Sequence, residues 1–253
     1  MKVAVCLSGQ LRTFEKTYES IYNNIISTNS ADVFIHSWDT GSHEYGIDKR
    51  RVYTNSLDML DKVVDLYKPK KYLFEKPKDF SNMYTLHVTE PWINTIREIT
   101  PDIDNAEKHI INQTCGMFYS IYKCNNLKNE YSDECNIHYD AVIRLRFDLN
   151  VDYPIHVKDL DLKKINYHAY SQPDGIINDW MNIGNTYVMN IYSSIFLNLE
   201  FLNNLNEYQR SASVTFRGCP KYLWGNEHFI REMMYMNNIG KQAINFHIRI
   251  LYS

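Results

Sequence analysis

The 253-residue chain has too little of several things to belong to a number of large protein classes. Charge of one sign is nearly absent as an excess: 27 Lys and Arg stand against 30 Asp and Glu, a formal net charge of -3. That gives no long-range field to gather nucleic acid, so nucleic acid is not an expected partner, although a local basic patch can still hold a phosphate. The five cysteines, Cys6, Cys115, Cys124, Cys135 and Cys219, are odd in number and form neither CxxC pairs nor zinc-ligand spacing. Reduced thiols are expected, not a disulfide framework. No apolar run is long enough to span a bilayer. The strand-like start, Met1 to Cys6, lacks the cationic head and long apolar stretch of a signal peptide. The expectation is a cytoplasmic protein without a membrane span. Repeats, low-complexity tracts and Pro/Gly-rich linkers are missing too, with 7 Pro and 9 Gly in all. No Gly-rich phosphate loop of the Walker type is present, which counts against a sulfotransferase or nucleotidyltransferase.

What is there suits a globular domain. Hydrophobic residues make up 44% and charged residues 23%, enough to bury a sizeable core, and the length fits one α/β domain over residues 1–253. Twenty Tyr and four Trp supply aromatic faces with polar edges, which suit sugar rings and nucleobases. An AT-rich genome would raise Tyr as well.

Apolar periodicity alternates between strand and helix through the first half. Strands are expected at 3–7, 32–36, 71–75 and 139–145. Helices are expected after Gln10, at 57–66 and over 105–130. This alternation indicates βαβ units and a largely parallel, Rossmann-like sheet. Beyond Asp148 the pattern is mixed: strands at 165–170, 186–190 and 243–250, helices at 193–205 and 227–237. Loops are expected at 41–55 and 206–220.

In open parallel sheets ligands bind beyond the carboxyl ends of the strands. Three such places are polar: Ser8-Gly9-Gln10-Leu11-Arg12, His36-Ser37-Trp38-Asp39 and Arg146-Phe147-Asp148. Ser8 and Gly9 let backbone amides approach a phosphate, and the forked donors of Arg12 suit a diphosphate, or the segment is an ordinary turn. Trp38 either stacks on a ligand ring or packs in the core. Arg144 and Arg146 are two apart on a strand and therefore share a face. Buried guanidiniums need anionic partners, which a nucleoside diphosphate or the chain's own Asp140 and Asp148 would provide. An Asp at a strand exit can also bind a divalent cation bridging two phosphates. The lone His247 is expected to be a core residue rather than a metal ligand.

Taken in order, Val5-Cys-Leu-Ser8-Gly9-Gln10-Leu-Arg12, Asp32-Val-Phe-Ile-His36-Ser-Trp38, Phe118-Tyr119-Ser120-Ile-Tyr-Lys123, Tyr139 to Asp148, Asp179-Trp-Met-Asn-Ile-Gly184 and Asn226-Glu227-His228 resemble small GT-A-type glycosyltransferases. These occur in bacterial surface-polysaccharide clusters, phages and large DNA viruses, and a viral origin would place the protein in host cytoplasm. The resemblance implies a GT-A-like single domain with a nucleotide-sugar-binding half, 1–148, and an acceptor-binding half, 149–253. It implies a nucleotide-diphosphate-sugar donor and a glycan acceptor. Ser8, Gly9, Gln10 and Arg12 would line the nucleotide pocket, with Trp38, Lys123, Arg144 and Arg146 as further donor contacts. Asp148 would stand where the family's metal-binding Asp-x-Asp motif ends, and Asp179 and Glu227 would face the acceptor. The chain departs from the pattern at Arg146-Phe147-Asp148, where a cation replaces the first Asp. Either Asp148 holds Mn²⁺ or Mg²⁺, or the arginines neutralise the leaving group without metal.

An inverting transfer needs a carboxylate to take the acceptor's proton, and Asp179 and Glu227 are the candidates. Their plain alternatives are an Asx turn or helix cap for Asp179 and a helix N-terminal charge for Glu227. The alternative function is a catalytically inactive carbohydrate-binding or scaffold protein on the same fold.

Overall fold

The computed structural model describes residues 1–39, 57–88, 90–99, 105–169, 177–205 and 226–251; the loops expected at 41–55 and 206–220 lie outside them. Chain order is β1 (Val3–Ser8), α1 (Phe14–Ile21), β2 (Asp32–Trp38), α2 (Leu57–Tyr67), β3 (Lys71–Glu75), α3 (Glu90–Ile99), α4 (Ala106–Cys135), β4 (Ala141–Leu145) and β5 (Leu149–Val151). It continues with β6 (Ile165–His168), β7 (Met181–Gly184), α5 (Thr186–Ser193), α6 (Leu199–Asn203), α7 (Asn226–Met236), β8 (Lys241–Ile244) and β9 (Ile248–Ile250). Seven strands form one sheet in the order β3-β2-β1-β4-β7-β6-β8, and β5 pairs with β9 in a second, two-stranded sheet. In the large sheet only β7 runs against its neighbours. The Rossmann-like parallel N-terminal half and the mixed C-terminal half are those expected from the sequence.

Period-2 alternation assigns each face of the sheet its own core. On β1, Val3, Val5 and Leu7 pack with Phe14 and Ile21 of α1 and with Leu60 and Val63 of α2. Ala4 and Cys6 pack on the other face with Ile110, Phe118 and Ile121 of α4. Because both faces are covered, the strand reads as a continuous apolar run. Helix α4 starts where the Asn105 side chain accepts a hydrogen bond from the Lys108 amide, and ends at Asn136, which adopts φ 51 in the left-handed region.

Two sequence expectations are corrected in the second half. Residues 186–190 are not a strand but the first part of α5: Asn185 caps the helix by accepting from the Val188 amide, immediately after Gly184 ends β7. The short apolar run Tyr187-Val188-Met189 has no period of its own, so the cap decides it. The single strand expected at 243–250 is two strands, β8 and β9, divided at His247, whose φ of 47 no strand accommodates. β8 stays in the large sheet while β9 leaves to pair with β5. His247 itself is exposed and packs edge-on against Tyr153, not in the core.

Candidate functional site

Strand order reverses between β1 and β4. From β1 the chain moves outward through β2 and β3, then crosses back so that β4 lies on the other side of β1. With α1 on one face and α4 on the other, the carboxyl ends of β1 and β4 form the switch point at which open α/β sheets bind ligands. Because β7 is antiparallel, it enters the sheet at this same edge, with Met181 opposite Leu145. That brings Asp179 and Trp180 to the ends of β1 and β4.

Arg144 is the innermost charge here. It lies beside Cys6 in register and is only 2% exposed. Its Nε donates to Ser8 Oγ at 3.0 Å, and its Nη1 donates to the Asp179 carbonyl. Arg144 therefore ties the exits of β1 and β4 to the entry of β7. Asn178, not Asp179, closes the turn into β7: its side chain accepts from the Trp180 amide at 3.2 Å and donates to the His168 carbonyl at 2.5 Å. The Asx-turn reading thus passes to the neighbour, and the buried Asp179 carboxylate is left to act elsewhere.

It acts on Glu227. This residue lies in the first turn of α7, where a helix N-terminus would favour its charged form. Its carboxyl is nevertheless pushed up to about 7, first by burial and then by the negative charge of Asp179. Tyr192 of α5 completes the group. Its hydroxyl is pushed up by burial and feels the charges of Arg144, Asp179 and Glu227 together. Four elements far apart in sequence thus converge on one polar cluster. Tyr192 carried no signal in the sequence, since it falls in an apolar stretch between two expected elements.

A second cluster sits on the α1 side of the switch point. Arg146 follows the end of β4 and grips Asp148 with both arms of its fork, Nε to Oδ1 at 2.9 Å and Nη2 to Oδ2 at 2.7 Å. Arg12 donates from Nη1 to the same Oδ2 at 2.7 Å, and Gln10 Oε1 accepts from Arg12 Nε at 3.2 Å. Burial alone would raise the Asp148 carboxyl, but the two guanidiniums hold it below the usual range. Arg144 and Arg146 consequently keep separate partners, and Asp140 accepts from the Lys2 amide instead of from either arginine. Gly9 adopts φ +114 to make the turn, and its amide is committed to the His36 carbonyl at 3.2 Å.

The donor set around Asp148 does not fit a divalent cation. Both carboxylate oxygens already face guanidinium groups, and no cluster of three or more His, Cys, Asp or Glu able to hold a metal occurs among the described residues.

Trp38 is packed in the core, its ring stacked on Tyr119 at 5.7 Å and edge-on to His36 at 5.3 Å. His36 is fully buried between Ser120 Oγ, 2.8 Å from Nδ1, and Glu75 Oε1, 3.1 Å from Nε2. Burial draws His36 down to about 4, so it is neutral at physiological pH. Burial would raise Glu75, yet bonds from Lys78, His36 and Tyr119 bring it to about 2. Lys123, one turn beyond Tyr119 on α4, is close enough for its charge to act on His36. The His36–Glu75 pairing was not legible in sequence because its two halves come from different strands.

The fold and site define an α/β protein with two buried polar clusters at the switch point of its sheet. No family model matches the chain, and no curated protein matches it. Among solved structures it is similar to the apo-form glycosyltransferase GlyE of Streptococcus pneumoniae TIGR4, with a TM-score of 0.43 and 11% identity over 96% of this chain. The chain spans 45% of the length of that protein. Among the described residues, no helix is long and apolar enough to cross a membrane.

Proposed function

We propose that the protein is a glycosyltransferase that moves a sugar from a nucleotide-diphosphate-sugar to a glycan or glycoconjugate acceptor. The observation that carries this reading is Glu227. It is a carboxylate raised to about 7 by burial and by Asp179, and its charge acts on Tyr192 together with those of Asp179 and Arg144, the last at the carboxyl end of β4. A general base works best when its pKa lies near the working pH, and the Asp179 charge brings Glu227 there.

In the proposed reaction, the acceptor hydroxyl gives its proton to the Glu227 carboxylate while its oxygen bonds to the anomeric carbon of the donor sugar. The bond from that carbon to the diphosphate oxygen breaks, and the diphosphate leaves with the electron pair. Direct displacement of this kind inverts the anomeric centre. Asp179 is the positioning residue that keeps Glu227 basic, and Trp180, half-buried and stacked on His168 at 5.9 Å, lies next to it in the chain. Gln10 and Arg12 line the donor side, with Arg146 and Asp148 beneath the diphosphate, while the buried Ser8 hydroxyl and the Gly9 amide, expected as phosphate contacts, are held by Arg144 and the His36 carbonyl. Trp38, whose ring is packed in the core against Tyr119, takes no part in donor binding in this reading.

Glu227→Gln is the direct test. It preserves shape and removes the base, so donor affinity should stay within about 3-fold while turnover falls by about 10²- to 10⁴-fold. Unchanged turnover would remove Glu227 from the chemistry. In the wild type, turnover should rise with pH through a limb near 7 and flatten above it, a limb that Asp179→Asn shifts to lower pH.

A further inference from the structure

We propose that Asp148 is not a metal ligand but the clasp of an arginine pair, and that Arg12 and Arg146 take up the charge of the leaving diphosphate without a divalent cation. The inference rests on the nucleotide-sugar reading and deepens it.

A metal-binding aspartate must offer lone pairs toward an open space. Asp148 does the reverse. Its carboxylate is 2% exposed, and Arg146 grips one oxygen while Arg146 and Arg12 share the other. The side chains of Arg12 and Arg146 are 33% and 22% exposed. The anion therefore lies inside and the cations face outward. Two guanidiniums and one carboxylate leave a single positive charge at the switch point. A cation entering at Asp148 would have to displace a guanidinium and leave a partly buried charge unpaired. An incoming diphosphate meets no such cost, because guanidinium forks match phosphate oxygens.

The backbone supports the same assignment. Arg12 adopts φ 42, a conformation uncommon for a residue with a side chain. Gln10 and Asp148 take two of its five N–H donors, so its fork is aimed before any ligand arrives. A fixed guanidinium in place of a metal ligand replaces one source of positive charge by another.

Isothermal titration of the full chain with UDP, GDP, TDP and CMP, each in excess EDTA and again with Mn²⁺, tests this. One nucleoside diphosphate should bind, with an affinity that changes by less than about 3-fold between the two conditions. Arg12→Lys and Arg146→Lys keep the charge and lose the fork. In EDTA each should weaken the diphosphate by about 10-fold or more and the monophosphate of the same base much less. That difference is one a merely structural role would not produce, and the melting temperature of the free variants checks that they fold. Binding that needs Mn²⁺, or diphosphate affinity indifferent to both lysine variants, overturns the arginine assignment while leaving the transferase reading intact. A folded wild-type protein that binds none of the nucleotides overturns the transferase reading itself, and the assignment falls with it.

Discussion

At the scale of single residues, the switch point is built from charges whose surroundings differ. Glu227 is driven toward its neutral form and Asp148 toward its charged form, although burial pushes both the same way. The difference is the neighbour: a carboxylate for Glu227, two guanidiniums for Asp148. The sign of the pH dependence follows. Glu227 has a folded value near 7 against 4.5 unfolded, so between these the folded protein holds more protons and its stability falls as pH rises. Glu227→Gln should therefore raise the melting temperature at pH 8 while changing it little at pH 4, as read by scanning calorimetry. No difference between the two pH values would contradict the raised pKa. Ser8→Ala should destabilise the fold by about 1–3 kcal/mol in denaturant unfolding, since it leaves the buried Nε of Arg144 without its acceptor. Residue types were legible in the sequence here, but pairings were not. Arg144 and Arg146 share a parity that puts them on one face of an ideal strand, yet β4 ends at Leu145 and Arg146 turns to Asp148.

At the scale of elements, the first half was more legible than the second, for a physical reason. In the second half β6 and α7 match the strand and helix expected at 165–170 and 227–237, but β7 was missed and 186–190 proved helical. β1, β2 and β4 are parallel strands buried on both faces, and α4 is a 30-residue helix with a capping Asn at its start; long apolar runs and long helices leave strong patterns. β7 has four residues, Met181 to Gly184, all buried, including Asn182, so it shows neither alternation nor a long apolar run. Yet β7 delivers Asp179 to the switch point, and its boundary with α5 depends on one small residue. A Cβ on Gly184 would meet Val188 Cγ1 at 2.7 Å and Cβ at 2.9 Å. Gly184→Ala should thus cost about 1–3 kcal/mol by overpacking, measured as a shift in the urea midpoint. An unshifted midpoint would mean that α5 can move away from β7 at no cost.

At the scale of the whole molecule, a strand order that reverses between β1 and β4, with β7 entering against its neighbours, gathers Ser8, Arg144, Arg146, Asp148 and Asp179 at one edge of the sheet. Glu227 reaches them from α7, nearly 50 residues further along the chain. The sequence named all of these as candidates, because polar residues at strand exits stand out against apolar runs. It did not show that they fall into two clusters of different electrostatic character, since that depends on side chains meeting across the sheet. One cluster keeps a carboxylate basic and the other keeps two guanidiniums aimed, a division that suits an acceptor on one side and a departing diphosphate on the other. The most direct measurement is mass spectrometry of the protein incubated with a panel of UDP-, GDP-, TDP- and CMP-sugars and a set of glycan acceptors. Consumption of one donor, with the matching nucleotide released and one sugar mass added to an acceptor, is the predicted result. Glycans bound by a folded protein that neither binds nor consumes any nucleotide sugar would contradict it and leave a carbohydrate-binding protein in its place.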